Sequence, residues 1–270
     1  MAVKLTVTGA GYHYDAARLN GFRDIDLSVE SGEFLCLLGP NGCGKTTLLK
    51  SLNRLIGVQK GQVEIDGKNI AEMSRQEIAR LIGYVPQLHQ PAFPFTVLEV
   101  VLMGRSPHLG PFTSPRRGDI DIAEEAMDWM GITPLKDKPY TQLSGGERQL
   151  VVFARVLAQK PSLILLDEPT SHLDFANQVR LLATVEQLAQ TGIPIIMTSH
   201  FPDHAFMVSN KVALMKKGCI MSSGKPEDVI TEANLERVYD MKVKVVSVNG
   251  EINRKICLPA VKYDFEKNVG

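Results

Sequence analysis

The sequence lacks any apolar run of the roughly 18–20 residues that are needed to cross a bilayer. Its first residues, MAVKLTVTG, also lack the apolar core of a secretory signal peptide. Neither sign of charge is in excess, because 30 basic and 30 acidic residues cancel. No overall electric field therefore favours nucleic acid or an anionic membrane surface. We expect any role at a membrane to depend on a partner protein.

Cysteine is scarce and scattered along the chain. The 270 residues contain four cysteines, with no C-x-x-C pair and no histidine at the spacing of a zinc site. This pattern predicts reduced and buried thiols in a reducing compartment. The remaining composition, 44% hydrophobic and 22% charged, is ordinary for a globular protein. The length suits one large α/β domain with subdomains, or two small domains.

A glycine-rich loop follows the apolar run at residues 34–38 and predicts a phosphate-binding site. Gly39, Gly44, Lys45 and Thr46 fill the template G-x-x-x-x-G-K-[ST], in which glycines let several backbone N–H groups face one anion. Lys45 would reach the β- and γ-phosphates of a nucleotide, and the Thr46 hydroxyl would coordinate Mg²⁺. The helix expected after this loop would direct its positive end toward the same phosphates. The predicted nucleotide-binding residues of the loop are Gly39, Pro40, Asn41, Gly42, Cys43, Gly44, Lys45, Thr46 and Thr47.

Two adjacent carboxylates, Asp167 and Glu168, follow the apolar run at residues 163–166. Such a run is typical of a buried parallel strand, which would deliver both side chains at its C-terminal end. In a division of labour, Asp167 would hold Mg²⁺ through water. Glu168 would orient and polarise the water that attacks the nucleotide.

Gln87 and His200 also follow apolar runs, at residues 81–85 and 193–197. Ligands of open α/β sheets bind at the carboxyl ends of the strands, so we expect both side chains to lie beside the phosphate loop. There Gln87 would contact Mg²⁺ or the attacking water, and His200 would contact the γ-phosphate. Glu168, His200 and Gln87 are therefore the predicted catalytic residues. Thr46, Gln87 and Asp167 are the predicted metal-binding residues.

The segment LSGGERQ at residues 143–149 predicts a helix that begins at an unusual cap. Ser144 and Glu147 form a capping box, whereas two glycines beside a cap are unfavourable, since each costs about 1 kcal/mol relative to alanine. The glycines are explained if the backbone at this helix start approaches a phosphate closely. The sequence therefore adds Ser144, Gly145, Gly146 and Glu147 to the predicted nucleotide-binding residues.

The N-terminal region predicts antiparallel strands. Residues 3–8 and 25–29 alternate between apolar and polar side chains, and Asp66-Gly67 is a hairpin signal. Tyr12 and Tyr14 lie between these strands. An aromatic side chain here would either stack on a nucleotide base or pack at a sheet edge.

The middle of the chain predicts helices. Strand signals disappear after residue 88. Thr96 and Glu99 form a capping box that opens a short helix to about Arg105, and a second helix over residues 119–130 places Trp129 in the core. The predicted fold is α/β, with a mainly parallel sheet flanked by helices, an N-terminal antiparallel β-subdomain and an inserted helical subdomain. We assign residues 1–87 and 161–225 to the core with its β-subdomain, 88–160 to the helical subdomain and 226–270 to a C-terminal extension.

These motifs together resemble those of the ATP-binding subunits of ABC transporters, in order and in spacing. GPNGCGKTT is similar to the Walker A motif, YVPQ to the Q-loop, LSGGERQ to the signature, LILLDE to Walker B, SHLD to the D-loop and TSH to the switch histidine. The resemblance implies a P-loop NTPase fold, ATP with Mg²⁺, and ATP hydrolysis. It also implies that two copies sandwich two ATP molecules, with Ser144, Gly145 and Gly146 of one copy facing the Walker A motif of the other. Tyr14 matches the aromatic residue of the A-loop better than Tyr12 does.

Finer features resemble the importers of metal chelates such as ferric siderophores, haem and vitamin B12. They are the Ser-His-Leu-Asp loop followed by Gln178, the stretch GRSPHLGPF, and the tail NLERVYDMKVKVV followed by CLPA. This branch implies a peripheral protein at the cytoplasmic face of the membrane that works with transmembrane permease subunits and, indirectly, an extracytoplasmic substrate-binding protein, with no nucleic acid. The chain departs from the family pattern at Cys43, where alanine or serine is common, and at Phe201-Pro202, where Asp-Leu is usual.

Other functions remain open from the sequence. A molybdate importer, another importer or an exporter would share all the ATP chemistry. A soluble ABC ATPase that acts on DNA or ribosomes is less consistent with this chain, because those proteins usually carry a long coiled coil or two tandem cassettes. Here the chain has no heptad repeat and a single cassette.

Overall fold

The computed structural model describes residues 3–15, 21–87, 93–110, 112–171, 173–248 and 254–260. The predicted start of the helical insertion at residue 88, residue 172 of the predicted D-loop and the last residues of the predicted C-terminal extension lie outside this part of the chain.

The described residues form twelve strands and nine α-helices. The strands are β1 (Lys4–His13), β2 (Gly21–Glu30), β3 (Phe34–Leu38), β4 (Lys60–Ile65), β5 (Lys68–Asn69), β6 (Ile82–Val85), β7 (Leu163–Asp167), β8 (Ile195–Ser199), β9 (Lys211–Lys216), β10 (Cys219–Gly224), β11 (Val243–Val248) and β12 (Arg254–Pro259). The helices are α1 (Lys45–Leu52), α2 (Arg75–Leu81), α3 (Val97–Leu102), α4 (Arg117–Trp129), α5 (Gly145–Ala158), α6 (Phe175–Gln190), α7 (Pro202–Val208), α8 (Pro226–Val229) and α9 (Glu232–Tyr239).

A six-stranded sheet carries the predicted site. Its order is β10-β9-β3-β8-β7-β6, and all neighbouring strands are parallel except for β10, which runs antiparallel to β9. Strands β3, β7 and β8 are buried at every residue, because layers of structure cover both faces of the sheet. Because these strands are parallel, their carboxyl ends meet at one edge of the sheet.

The predicted antiparallel region forms a second sheet in the order β2-β1-β4-β5. Asp66 and Gly67 connect β4 to β5 with φ angles of 52° and 76°, as the two-residue hairpin signal predicts. The prediction of an α/β fold with an N-terminal antiparallel sheet is confirmed.

Two hydrophobic cores lie on opposite faces of the six-stranded sheet. Leu35 and Leu37 of β3 point into a core that is shared with the antiparallel sheet and α1. Phe34, Cys36 and Leu38 point into the other core, which also contains residues of α3, α4 and α5. This alternation follows from the two-residue period of a strand and attaches the helical middle of the chain to one face.

The helical middle differs from the sequence prediction in two details. Helix α3 ends at Leu102 and continues as a 3₁₀ segment (Met103–His108) that contains Pro107, whose ring cannot be accommodated in an α-helix interior. The assignment of Trp129 to the core is wrong, because its side chain is 44% exposed. In α4 the buried residues are instead Ala123, Ala126 and Met127, which lie on one face of the helix.

The last described elements, β11 and β12, pack against α7. The hairpin of β11 and β12 lies against α7, where the backbone N–H of Cys257 donates to Asp203 at 2.8 Å. None of the helices in the described part of the chain combines the length and the apolar character that a membrane span requires.

Candidate nucleotide-binding site

The glycine-rich loop links the end of β3 to the start of α1. A Cβ atom on Gly39 would lie 2.2 Å from the carbonyl oxygen of Met215, and one on Gly44 would lie 2.3 Å from that of Gly21. Gly44 also has a φ of 106°, which side chains rarely allow. Both glycines are therefore required for the loop to pack against the neighbouring strands.

A cavity of about 610 Å³ opens beside this loop, a volume within the range of small-molecule sites. Its walls are formed by Tyr14, Gly21, Asn41, Gly42, Gly44, Lys45, Thr46, Thr47, Gln87 and Glu168. All of these except Gly21 are predicted site residues. Gly21 was missed because it acts through tertiary contact: a Cβ atom there would lie 1.9 Å from the carbonyl oxygen of Tyr12.

Lys45 lines this cavity although its side chain is only 4% exposed. Its Nζ donates to the carbonyl oxygens of Gly39 at 2.6 Å and Pro40 at 3.2 Å. The same Nζ also forms an ion pair with Glu168 Oε1 at 3.4 Å. A buried cation held by loop carbonyls is suited to bind phosphate oxygens, which accept the same hydrogen bonds.

Asp167, at the end of β7, is buried and fully supported by hydroxyl groups. Its Oδ1 accepts hydrogen bonds from Thr46 Oγ1 and Thr198 Oγ1, each at 2.9 Å, and its Oδ2 accepts one from Tyr84 Oη at 3.2 Å. A buried carboxylate requires such donors, since burial without hydrogen bonds is costly. Thr198 and Tyr84 are absent from the sequence prediction, because only the register of β6, β7 and β8 brings them to Asp167.

Glu168 lies at the centre of the predicted catalytic group. Its Oε2 accepts a hydrogen bond from Gln87 Nε2 at 3.1 Å and lies 3.5 Å from His200 Nδ1. The residue has a φ of 46°, and its backbone N–H donates to Thr198 Oγ1 at 2.8 Å. This uncommon left-handed backbone turns the carboxylate toward Lys45 and away from the strand. The three predicted catalytic residues are thus brought together.

The predicted helix-start residues lie apart from this cavity. None of Ser144, Gly145, Gly146 and Glu147 is among the cavity's described lining residues. They form the exposed start of α5, where Ser144 Oγ accepts from the Glu147 N–H at 3.3 Å and Glu147 Oε2 accepts from the Ser144 N–H at 2.8 Å. The hydrogen bond from the Ser144 backbone lowers the pKa of Glu147. The capping box is confirmed, whereas none of the four residues lines the nucleotide cavity of its own chain.

The two N-terminal tyrosines differ in exposure. Tyr14 is 57% exposed and lines the cavity, whereas Tyr12 packs on the core of the antiparallel sheet. The two rings meet edge to face, with centroids 5.0 Å apart. Tyr14 is therefore the tyrosine that borders the cavity, and Tyr12 packs against its ring.

Cys43 lies in the phosphate loop, but its side chain does not line the cavity. Its side chain is 4% exposed, and its Sγ would lie 2.8 Å from a Cβ atom on Gly39. Burial raises the pKa of this thiol. The thiol therefore points into the protein, so the departure from the usual alanine or serine leaves the cavity walls unchanged.

A glycine loop joined to a helix, with a buried lysine, a threonine hydroxyl and a strand-end carboxylate, defines a P-loop nucleoside triphosphatase. The sequence model described as ABC transporter matches residues 22–171. The chain therefore belongs to the ABC transporter family, as an ATP-binding subunit that hydrolyses ATP.

The chain is similar to known proteins over nearly its whole length. The hemin import ATP-binding protein HmuV of Burkholderia ambifaria is 39% identical, with 92% of this chain and 98% of that protein covered. The molybdate import ATP-binding protein MolC of Haemophilus influenzae is 37% identical, with 88% of each chain covered. A solved metal-chelate type ABC transporter in an inward-facing conformation matches with a TM-score of 0.86 and 33% identity, over 97% of this chain and 98% of that one.

Proposed function

We propose that the protein hydrolyses ATP at the cytoplasmic face of the cell membrane to drive the import of a metal chelate, such as a ferric siderophore, haem or cobalamin. The similarity to a hemin import subunit and to a metal-chelate transporter supports this cargo class. Molybdate is the second candidate, because the chain is also 37% identical to a molybdate import subunit. Transmembrane permease subunits and an extracytoplasmic substrate-binding protein would complete the system, and nucleic acid has no part in it.

The cluster of Lys45, Glu168, Gln87 and His200 is the observation that carries the ATPase chemistry of this proposal. Lys45 would exchange its loop carbonyls and Glu168 for the β- and γ-phosphates. Glu168 would then be free to accept a hydrogen bond from water and align it with the γ-phosphate. Gln87 and His200, which lie on either side of that carboxylate, would orient the water and contact the γ-phosphate.

The residues at the mouth of the loop fit Mg²⁺. Thr46 and Asp167 supply hard oxygen ligands that already lie within hydrogen-bond distance of each other, with Gln87 nearby in the same cavity. The described residues contain no cluster of three or more His, Cys, Asp or Glu that could hold a metal ion. Such a site suits Mg²⁺, which is usually bound by one or two protein groups together with substrate phosphates. Bound there, Mg²⁺ would neutralise charge on the phosphates.

A second copy of the chain would complete each ATP site. Ser144 and the two glycines at the start of α5 do not line the nucleotide cavity of their own chain, and Ser144 and Gly145 are exposed. This helix start is therefore available to a γ-phosphate that is bound by another copy of the chain. Ser144, Gly145 and Gly146 would contact that phosphate. The carboxylate of Glu147 remains engaged in the capping box and would hold the helix start in shape.

A second cavity suits the permease. This docking groove, of about 460 Å³, is bounded by Arg54, Leu55, Arg75, Tyr84, Met103 and Arg155, among other residues. Among the residues that the structure describes, three arginines and no carboxylate line this groove. Arg54 Nη1 is buried and has no hydrogen-bond partner among the described residues. We therefore assign the groove to a cytoplasmic segment of the permease that presents a carboxylate flanked by apolar side chains. It lies in the region that joins the core to the predicted helical subdomain, residues 88–160.

Crosslinking tests the docking groove directly. We expect single cysteines in place of Leu55 and Met103, which are 59% and 40% exposed, to crosslink to the permease. A cysteine in place of the exposed Lys242, in the C-terminal extension, serves as the control and should not crosslink. Crosslinks from the control position alone would place the permease elsewhere.

Transport by the reconstituted complex tests the cargo. The chain is assembled in liposomes with a metal-chelate permease and its substrate-binding protein, and ATP is supplied on the side of the chain. ATP-dependent uptake of haem, a ferric siderophore or cobalamin is expected, and none with the Glu168→Gln variant. Uptake of molybdate but of no chelate would support the second candidate, and ATPase activity that no membrane partner alters would contradict import.

A further inference from the structure

One side chain lies between the docking groove and the predicted Mg²⁺ site. Tyr84 belongs to β6, the edge strand of the six-stranded sheet, and its ring forms part of the groove wall. Its hydroxyl donates a hydrogen bond to Asp167 Oδ2 at 3.2 Å. The same residue therefore contacts both the surface that we assign to the permease and the carboxylate that we assign to the metal.

Tyr84 donates to the Asp167 oxygen that the two threonines do not contact. Thr46 and Thr198 both donate to Oδ1 of Asp167, and Tyr84 is the one donor to Oδ2 among the described residues. Asp167 is 1% exposed, so solvent cannot replace a lost donor. The orientation of the carboxylate plane therefore depends on where the Tyr84 hydroxyl lies.

The ring of Tyr84 is accessible from the docking groove. The ring is only partly buried and faces the groove, so an occupant of the groove can contact it. Movement of the ring by even a few tenths of an ångström would change the length of the hydrogen bond, whose strength falls steeply with geometry.

We propose that Tyr84 is a positioning residue that couples occupancy of the docking groove to the Mg²⁺ site through Asp167. The coupling part rests on the proposed function, since it requires that the permease occupies the groove. A permease segment pressed against the ring sets the position of the hydroxyl, which sets the orientation of the Asp167 carboxylate. Coupling of this kind is reciprocal, so metal binding would tighten permease docking by the same factor.

The first test measures metal binding in the isolated chain with Mn²⁺ as the probe. Binding of Mn²⁺ together with a non-hydrolysable ATP analogue is followed by electron paramagnetic resonance. Tyr84→Phe keeps the ring and removes the hydroxyl, and should weaken Mn²⁺ affinity about 10-fold, the low end for groups that support a metal ligand. Affinity for the analogue without metal should not change. Trp129→Phe, which changes an exposed aromatic ring on α4 away from both the docking groove and the nucleotide cavity, is the control and should bind Mn²⁺ as the wild type does.

The second test compares the isolated chain with the permease complex. In the wild type, assembly should change Mn²⁺ affinity by about 5-fold or more, the lower bound of typical coupling between sites. In Tyr84→Phe this change should disappear while the permease still binds. A 3-fluorotyrosine at position 84 provides a measurement without loss of the hydroxyl, since its ¹⁹F resonance should shift on assembly.

Four results would overturn the proposal in whole or in part. Unchanged Mn²⁺ affinity in Tyr84→Phe would show that the residue does not position Asp167. An assembly-dependent change that persists in Tyr84→Phe, or a ¹⁹F resonance that does not respond to assembly, would show that the signal takes another route. Failure of the permease to bind at the groove would refute the docking proposal and the coupling together, whereas the Mn²⁺ affinity of the isolated chain reports the positioning role on its own.

Discussion

Nζ of Lys45 lies 3.4 Å from Oε1 of Glu168, which pairs the residue that would hold phosphate with the residue that would activate water. Both side chains are largely buried, at 4% and 11% exposed, so neither charge is well screened by solvent. Nucleotide phosphate would compete with Glu168 for the same ammonium. Binding of ATP would therefore release the carboxylate for its role toward water, which links the first step of the cycle to the second.

Lys45→Ala is expected to lower the rate of ATP hydrolysis by about 10²–10³-fold, because it removes a charge that stabilises the transferred phosphoryl group. The fold should persist, since the loop is held by backbone contacts at Gly39 and Gly44. Steady-state phosphate release, with circular dichroism for the fold, checks this. Lys50→Ala, in the last turn of the same helix, should retain activity. Near-normal turnover in Lys45→Ala would contradict the assignment of the phosphate loop.

Glu168→Gln is expected to convert a transient ATP-bound dimer into a stable one. Glutamine keeps the size of the side chain but not its basicity, so ATP should bind and persist while charge-assisted hydrogen bonds, each worth about 1.5–3 kcal/mol, hold two copies together. Gel filtration with light scattering should show a monomer for the wild type and a dimer for the variant. The exposed control Glu186→Gln should behave as the wild type. A variant that stays monomeric with ATP bound would argue against the shared site.

Ser144→Ala separates the capping role of Ser144 from its proposed phosphate contact. Loss of the cap should lower the free energy of unfolding by about 1 kcal/mol. Ser74→Ala removes an equivalent capping box at α2 and should cost a similar amount. ATP-dependent dimerisation in the Glu168→Gln background should be lost with Ser144→Ala and kept with Ser74→Ala. Equal dimerisation in both would leave Ser144 with a structural role only.

Tyr14→Ala is expected to weaken ATP binding about 5- to 150-fold, because base stacking on an aromatic ring contributes about 1–3 kcal/mol. Tyr14→Phe keeps the ring and should bind ATP as the wild type does. Equilibrium titration with a fluorescent ATP analogue measures both. If Tyr14→Ala binds normally and Tyr12→Ala does not, the assignment of the two tyrosines has to be reversed.

The capping box at α2 predicts a pH dependence of stability. The pKa of Glu77 is lowered from 4.5 to about 2. The largest cause is the hydrogen bond from the Ser74 backbone N–H, and the Ser74 hydroxyl and Lys68 contribute less. A carboxylate whose pKa is lower in the folded state contributes its stability above pH 4.5 and loses it as pH falls toward 2. Urea unfolding should therefore show that the difference between wild type and Glu77→Gln is largest near neutral pH and shrinks below pH 4.5. A difference independent of pH would show that the charge of Glu77 contributes nothing.

Local patterns were sufficient for much of the fold and for most of the site. The phosphate loop, the two capping boxes at Thr96 and Ser144, and the hairpin at Asp66 each depend on residues within a few positions of one another. Their geometry is decided by backbone preferences and short-range hydrogen bonds, so the sequence alone predicts them.

The sequence by itself determined the family, the phosphate loop and the strand-end residues Gln87, Glu168 and His200, because each is encoded in a short contiguous motif. Only the tertiary structure decided what surrounds them. The hydroxyls of Tyr84 and Thr198 reach Asp167 because β6 and β8 lie on either side of β7, and the order of strands is not written in any local segment. Packing against neighbouring elements likewise decided that Trp129 is exposed and that residue 21 has to be glycine. Contacts between residues far apart in sequence depend on how whole elements pack, and that is settled by the core and the sheet rather than by any single motif.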